Sequence, residues 1–156
     1  MKIYTSYFYQ IRFFKPNMLP VSTAIWDPKW YHSFKDQSYK FKDKNGVWNG
    51  YRAEKLHPQE DNHSCPCEEH NPENCEFTRK YAEQLSKVDA KQMLNSMENF
   101  MNKLQEKEGW EGEPTIVFIV HEAPDNKCSE RASIQQWLKN AGYEVEEWNK
   151  EKLTEE

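Results

Sequence analysis

The six-residue run T-I-V-F-I-V at 115–120 constrains the fold of this 156-residue chain more than any other feature. It has the length of a strand and carries no charge, which is typical of a parallel strand that is covered on both faces. Apolar residues recur at helical spacing on either side of it, over 77–88 and 93–104 before the run and over 134–141 after it. A buried strand between amphipathic helices predicts a parallel sheet with helices packed against it.

Three further strands are predicted from β-branched and aromatic residues, at 2–9, 19–26 and 143–148. The order is then strand, strand, helix, helix, strand, helix, strand. This order predicts a small three-layer α/β fold with a mostly parallel, Rossmann-like sheet. A length of 156 residues fits a single domain over 1–156. We expect the methionines of the second helix to lie in the core and the last six residues to fray.

The segment from Asp27 to Asn62 interrupts this alternation. Proline and glycine recur in it, and it has no sustained hydrophobic period. The sequence therefore predicts little regular structure there. Together with the cysteine-rich stretch that follows, it forms a predicted loop-rich insertion over 27–76.

Three of the four cysteines fall within the stretch H-S-C-P-C-E-E-H-N-P-E-N-C at 63–75. Closely spaced thiolate and imidazole groups on a turn-rich loop suit tetrahedral zinc, and a full set of four leaves no open position for catalysis. We therefore expect a structural zinc and no organic cofactor. The alternative is a loop without metal whose thiols are reduced. The predicted ligands, with His63 as a substitute for the histidine, are Cys65, Cys67, His70 and Cys75.

Composition and charge exclude several classes of protein. No stretch of about 18 apolar residues occurs, so no membrane partner is expected. Gln10, Arg12 and Lys15 interrupt the apolar start, which disfavours a secretory signal and favours a cytoplasmic location. Residues 1–60 carry ten Lys/Arg and five Asp/Glu, a net charge of +5, whereas residues 61–156 carry eleven and twenty-one, a net charge of −10. The acidic part disfavours non-specific nucleic-acid binding.

The segment H-E-A-P-D-N-K-C-S-E-R at 121–131 is the strongest candidate for chemistry. It connects the buried strand to the third helix, at the sheet edge where open α/β sheets bind ligands. Glu122 could act as a general base, Cys128 lies near a helix N-terminus that lowers a thiol pKa, and Arg131 could bind an anion. These three residues are the predicted catalytic set. The alternative is an ion pair between Glu122 and Arg131 that locks the loop, with Cys128 filling the core.

A second segment, D-P-K-W-Y at 27–31, follows the second predicted strand. Its aromatic rings could stack on a flat ligand, and its aspartate could accept hydrogen bonds from that ligand. The alternative is a loop anchored by its proline and packed by its aromatic rings. If the strands are neighbours, this segment faces the same crevice as the first strand and the 121–131 loop. The predicted substrate-binding residues are Thr5, Ser6, Asp27, Trp30, His121 and Ser129.

These motifs together resemble a bacterial and phage family catalogued as domain-of-unknown-function family 488. Members open with a strand that carries a T-S-Y turn, continue with a strand that ends in a polar stretch, and close with an apolar strand, an acidic residue and a C-H-R signature. The resemblance implies the same fold and site, and it implies a phage or prophage source. This chain has C-S-E-R in place of C-H-R. The matching residues are Thr5–Tyr7, Val21–Ala24, Asp27–Tyr31, Glu122 and Cys128–Arg131.

Two functions follow as hypotheses. The first is a domain that binds or processes a small anionic, nucleotide-like ligand in the crevice at the C-terminal ends of the strands. The second is a phage-type interaction protein that modulates a host factor without catalysis and uses its aromatic N-terminal half as the contact surface. An enclosed polar pocket favours the first hypothesis, and a filled crevice beside exposed aromatic residues favours the second.

Overall fold

The computed structural model describes residues 1–33, 48–59, 75–125 and 128–154. Within these ranges the chain forms six strands, three α-helices and three 3-10 helices. The strands are β1 (Lys2–Tyr7), β2 (Met18–Ser22), β3 (Tyr31–Ser33), β4 (Trp48–Arg52), β5 (Thr115–Val120) and β6 (Glu146–Glu147). The α-helices are α1 (Glu76–Ser86), α2 (Ala90–Glu108) and α3 (Glu130–Asn140), and the 3-10 helices are Phe8–Phe13, Glu54–Leu56 and Lys150–Thr154.

The strands form one sheet in the order β3-β4-β2-β5-β1-β6, and every described pairing is parallel. β5 lies between β1 and β2, and all six of its residues are buried. The predicted interior strand at 115–120 and the α/β class are therefore confirmed.

Side chains of β5 alternate between the two faces of the sheet. Ile116, Phe118 and Val120 belong to a core cluster that contains residues of all three α-helices. Val117 and Ile119 belong to a second cluster, which is covered by the 3-10 helix Phe8–Phe13 and by residues near the C-terminus. In the part of the chain that the structure describes, the third layer thus consists of 3-10 helices and loops instead of α-helices.

The helices begin and end at recognisable caps. The Asp89 side chain accepts a hydrogen bond from Gln92 N at the start of α2, and Gly109 ends this helix with a φ of 71°, a conformation that glycine adopts without strain. Ser129 caps α3 through its side chain. Met97 and Met101 are buried, so the methionine stripe is core, as predicted. Among the described residues, no helix has the length and apolar composition needed to cross a membrane.

The structure differs from the prediction in the insertion and at several strand ends. The prediction of little regular structure after Asp27 is wrong for 31–33 and 48–56, which form β3, β4 and a 3-10 helix. These strands are short and contain Asn49 and Gly50, so they carry little local strand signal. β1 and β2 end earlier than predicted, at Tyr7 and Ser22, and the predicted last strand is reduced to two residues. The tail from 150 to 154 is a 3-10 helix within its described part instead of a frayed end.

Candidate functional site

At the C-terminal end of β5, neighbouring strands continue to opposite faces of the sheet. After β5 the chain continues into α3, on the face of the three α-helices. After β1 and β2 it continues to the opposite face, where Phe8 and Ala24 pack. Parallel sheets bind ligands in the crevice that such a reversal opens. The loop that starts at His121 lies at this place.

Arg131 organises the helix side of this loop. Its side chain is almost fully buried, and its Nε lies 2.6 Å from Glu147 Oε1 in β6. Its Nη2 donates to the backbone carbonyl of Glu122 at 2.7 Å, and its Nη1 donates to Ser129 Oγ at 3.4 Å. The guanidinium thus ties three segments together. Its ion-pair partner is Glu147, and it contacts Glu122 through the backbone carbonyl, which differs from the alternative of a Glu122–Arg131 ion pair.

Thr5 joins the same network from β1. Its Oγ1 donates to Glu147 Oε1 at 2.8 Å and accepts from Gln135 Nε2 at 2.7 Å. Burial raises the pKa of Glu147, although the charge of Arg131 and the hydrogen bond from Thr5 oppose this shift. The structure therefore brings Thr5, Ser129, Arg131 and the Glu122 backbone together around Glu147.

Glu122 and Glu130 form a pair of carboxyl groups next to Arg131. Glu130 is the first residue of α3 and is 7% exposed, whereas Glu122 is partly exposed. The two carboxyl groups lie within hydrogen-bonding reach of each other. Among the described residues, the Oε2 atom of each has no hydrogen-bond partner although it is buried. Because carboxylates have no hydrogen to donate, a proton shared by the pair would supply the missing donor.

The electrostatics of the pair agree with a shared proton. Burial, followed by the negative charge of Glu122, raises the pKa of Glu130 to about 8, and the charge of Arg131 reduces this shift. A negative charge beside a buried carboxyl favours the protonated form of that carboxyl. Glu130 therefore holds a proton near pH 7.

Cys128, which lies two residues before Glu130 in the chain, is a core residue. It is 2% exposed and packs in a small cluster with Cys75 and Phe77, at the start of α1. This placement corresponds to the alternative in which Cys128 fills the core. Cys75 is the one predicted zinc ligand within the described residues, where it directly precedes α1. Cys65, Cys67, His70 and the substitute His63 lie outside the described residues.

The remaining predicted ligand residues lie on the opposite face of the sheet end. The His121 ring lies 4.8 Å from the Phe8 ring in a tilted arrangement, and its Nε2 contacts the backbone carbonyl of Trp26. Trp30 also contacts Phe8, edge to face at 6.1 Å. Trp26 is 70% exposed, so its ring offers a flat surface at this edge.

Ser6 and Asp27 are engaged within the protein. Ser6 Oγ donates to the carbonyl of Trp148 at 2.7 Å. Asp27 Oδ1 accepts from Ser22 and forms a salt bridge of 3.0 Å with Arg52 Nη1. The predicted residues therefore separate into two groups: Thr5, Ser129 and Arg131 on the helix side, and Ser6, Asp27, Trp30 and His121 on the other side.

The sequence prediction missed Glu130 and Glu147. Neither was named as a site residue, and Glu147 is 16 residues from Arg131 in the chain. The available signal was weak: Glu130 precedes Arg131 in the same motif, and Glu147 lies in the predicted last strand, where a carboxylate that becomes buried needs a partner. Within the described ranges, no three His, Cys, Asp or Glu residues are grouped so that they could hold a metal ion.

Comparison with known proteins adds no relative from which a function could be carried over. No family model, no curated protein and no solved structure matches this chain, and the resemblance to domain-of-unknown-function family 488 stays a prediction.

Proposed function

We propose that the chain binds a small molecule with a flat, hydrogen-bonding ring at the C-terminal end of β5, and that the Glu122–Glu130 carboxyl pair exchanges a proton with it. The observation that carries this proposal is the buried Glu130 carboxyl beside the partly exposed Glu122, at the reversal point of a parallel sheet. Buried carboxyl oxygens without a donor are rare in folded proteins and need a reason. Proton exchange is such a reason.

The residues have different roles in this proposal. Glu122 faces the ligand. It accepts a proton from an acidic group of the ligand or donates a proton to a basic group of the ligand. Glu130 holds the shared proton, so the pair has a charge of −1 before the exchange. This charge becomes 0 when the pair accepts a proton and −2 when it donates one. Arg131 is a positioning residue, because its Nη2 fixes the backbone of Glu122. Cys128 receives no chemical role, since it packs against Phe77 and Cys75.

The ligand retains the nucleotide-like ring of the sequence-based hypothesis, for which Trp26 offers an exposed face. The structure offers less support for the predicted binding of an anionic ligand group by Arg131. The three guanidinium nitrogens each already donate to Glu147, Glu122 or Ser129. With three carboxyl groups around one guanidinium, this part of the edge is not a site for a negative charge.

A thermal-shift screen with nucleobases, nucleosides, nucleotides and sugar phosphates tests this proposal, because a ligand that binds the folded state raises its stability. We expect at least one ring compound to raise the melting temperature of the native chain. Glu122→Gln should fold normally and lose this response, whereas Glu106→Gln, on an exposed part of α2, should keep it. Solvent deuterium should enter a carbon-bound position of the ligand, one that does not exchange in water alone, only with native protein. A Glu122→Gln variant that retains both responses contradicts the proposal.

The second candidate function is an interaction protein that contacts a host protein. Exposed Trp26 and Tyr9 near the same edge favour it. The two candidates differ in what Trp26→Ala and Glu122→Gln do. For a ligand site both variants lose the thermal response. For a protein contact through the aromatic surface, Trp26→Ala alone weakens binding, and Glu122→Gln leaves it unchanged.

A further inference from the structure

A cavity of about 670 Å³ lies at the ends of β2 and β4, on the same sheet edge but apart from the carboxyl pair. Its walls are the 3-10 helix Glu54–Leu56 with the residues that follow it, the last turns of α1, and Ile25. Small-molecule sites are typically cavities of roughly 300–1,000 Å³. We refer to this cavity as the lysine groove.

Three lysines line the lysine groove: Lys55, Lys80 and Lys87. None of them forms a salt bridge with a described residue. Two glutamates also line it, and one of them, Glu83, has Arg79 at 3.8 Å. The groove therefore has an excess of positive charge, although the whole chain has a net charge of −5.

One of these lysines, Lys87, has a simple structural role at a helix end. Lys87 caps the C-terminal end of α1, where a cation is favourable to the helix dipole. Lys80 lies seven residues earlier and so on nearly the same face of the helix. Lys55 approaches from a different element. Convergence of three cations from two elements on one cavity is typical of a site for an anionic group.

The wall that carries Lys55 is held rigidly by α1. Gln84 Nε2 donates to the Lys55 carbonyl at 3.2 Å and to the His57 carbonyl at 2.9 Å. The hydroxyl of Tyr81, which is fully buried, donates to the Leu56 carbonyl. A preorganised wall reduces the ordering cost of ligand binding.

A second cavity, of about 750 Å³, continues the groove past Lys55, Lys87 and Val88. It is lined by Tyr51 and Met93. Tyr51 is 39% exposed, and its ring lies 6.3 Å from that of Phe100. An exposed ring supported from behind is a suitable surface for the apolar or flat part of a ligand.

We propose that the lysine groove binds the phosphate group of a small phosphorylated molecule through Lys55, Lys80 and Lys87, with the remainder of that molecule against Tyr51 and Met93. Ammonium groups are common phosphate ligands in proteins. This site does not depend on the proton exchange proposed above, because it uses none of the residues of the carboxyl pair.

Calorimetric titration of the full chain tests the site, with ribose 5-phosphate and adenosine 5′-monophosphate as phosphorylated probes and adenosine as the probe without phosphate. We expect both phosphorylated probes to bind and adenosine to bind at least about tenfold more weakly. Lys80→Gln and Lys87→Gln should each weaken binding of the phosphorylated probes by about tenfold or more. Lys139→Gln, on an exposed part of α3, should leave it unchanged.

His57 gives a second measurement at the same site. Its pKa is lowered, first by burial and then by the charge of Arg52, and a phosphate in the groove should raise this pKa because it favours the imidazolium. An NMR titration of the His57 ring with and without ribose 5-phosphate measures the change. Lys80→Gln should reduce this change, whereas a lysine with only a structural role would not alter it.

Three results would overturn the proposal. The first is that neither phosphorylated probe binds. The second is that Lys80→Gln and Lys87→Gln, shown to be folded by circular dichroism, bind both probes as the native chain does. The third is tighter binding of a short oligonucleotide than of adenosine 5′-monophosphate, which would assign the lysines to a polyanion. A negative result in the Glu122→Gln screen bears on the carboxyl pair alone.

Discussion

At the scale of residues, the end of β5 combines one arginine with three carboxyl groups. Arg131 forms an ion pair with Glu147, whereas the carboxyl groups of Glu122 and Glu130 have each other as neighbours. A buried carboxyl that lacks a cation partner is neutralised by a proton, because the desolvation of its charge costs more than keeping the proton. The chemistry of this site thus depends on Glu130, although Arg131 is the more conspicuous residue.

Glu130→Gln should change how the stability depends on pH. The folded-state pKa of Glu130 is raised to about 8 from an ordinary value of 4.5, so between these values the folded chain holds a proton that the unfolded chain releases. The stabilisation is complete below the unfolded pKa and is lost as the pH rises through the folded pKa. We expect the free energy of unfolding to fall with a slope of up to about 1.4 kcal/mol per pH unit across this window.

Urea unfolding from pH 5 to pH 9 measures this slope. Glu130→Gln should reduce it, because the amide cannot ionise and can donate to Glu122. A smaller slope of the same sign should remain, because the pKa of Glu147 is also raised. Glu106→Gln serves as the control that retains the native slope. If Glu130→Gln retains the full native slope, the shared proton is not on this pair.

At the scale of elements, one buried side chain, that of Tyr31, links β3 to both β4 and β2 in addition to the backbone pairing of these strands. Tyr31 of β3 reaches across β4, where its hydroxyl donates to the Tyr51 carbonyl at 2.6 Å and lies 3.1 Å from the Pro20 carbonyl of β2. A Cβ on Gly50 would lie 2.6 Å from Tyr31 Cζ. Gly50, which the sequence analysis counted among the residues typical of a loop, therefore lies directly beneath the Tyr31 ring.

Gly50→Ala should destabilise the chain by roughly 1–3 kcal/mol, because the new methyl group overpacks the fully buried Tyr31 ring. Thermal or urea unfolding measures the loss. The matched control is the same substitution in a Tyr31→Leu background, where the shorter side chain no longer covers Gly50 and the penalty should largely disappear. Equal penalties in the two backgrounds would show that the ring does not occupy this space.

At the scale of the whole molecule, the sheet separates two packed clusters among the residues that the structure describes. The three α-helices share one core with Ile116, Phe118 and Val120, and the aromatic face is covered by short 3-10 elements. Both candidate sites, the carboxyl pair and the lysine groove, lie along the C-terminal edge of this sheet. That edge is where polar side chains can converge without entering either core.

The cysteine cluster belongs to the same scale, because a zinc would tie the insertion to the domain. We expect purified protein, prepared without chelators, to contain about one zinc per chain, released on denaturation. Elemental analysis measures the content, and Cys65→Ser combined with Cys67→Ser should abolish it. Protein without any transition metal would leave the reduced, metal-free loop as the correct interpretation.

The amino-acid sequence by itself determined the α/β class, the buried strand β5 and the three helices. These features depend on the spacing of apolar residues within single elements, which are 6 to 19 residues long. It also led to the segment 121–131, because polar residues directly follow a buried strand there. Glu122 and Arg131 could thus be named as candidates, but not the way in which they are bonded.

Only the tertiary structure decided which strands are neighbours and which charges meet. β3 and β4 have little local signal and exist because Tyr31 and the edge of β2 give them partners. Arg131 meets Glu147 from 16 residues away, and Lys55 shares a cavity with Lys80 and Lys87 from another element. The spacing of apolar residues within one element does not predict contacts between different elements. Chain closure brings these residues together, and burial then sets their charge, as it does for the proton on Glu130.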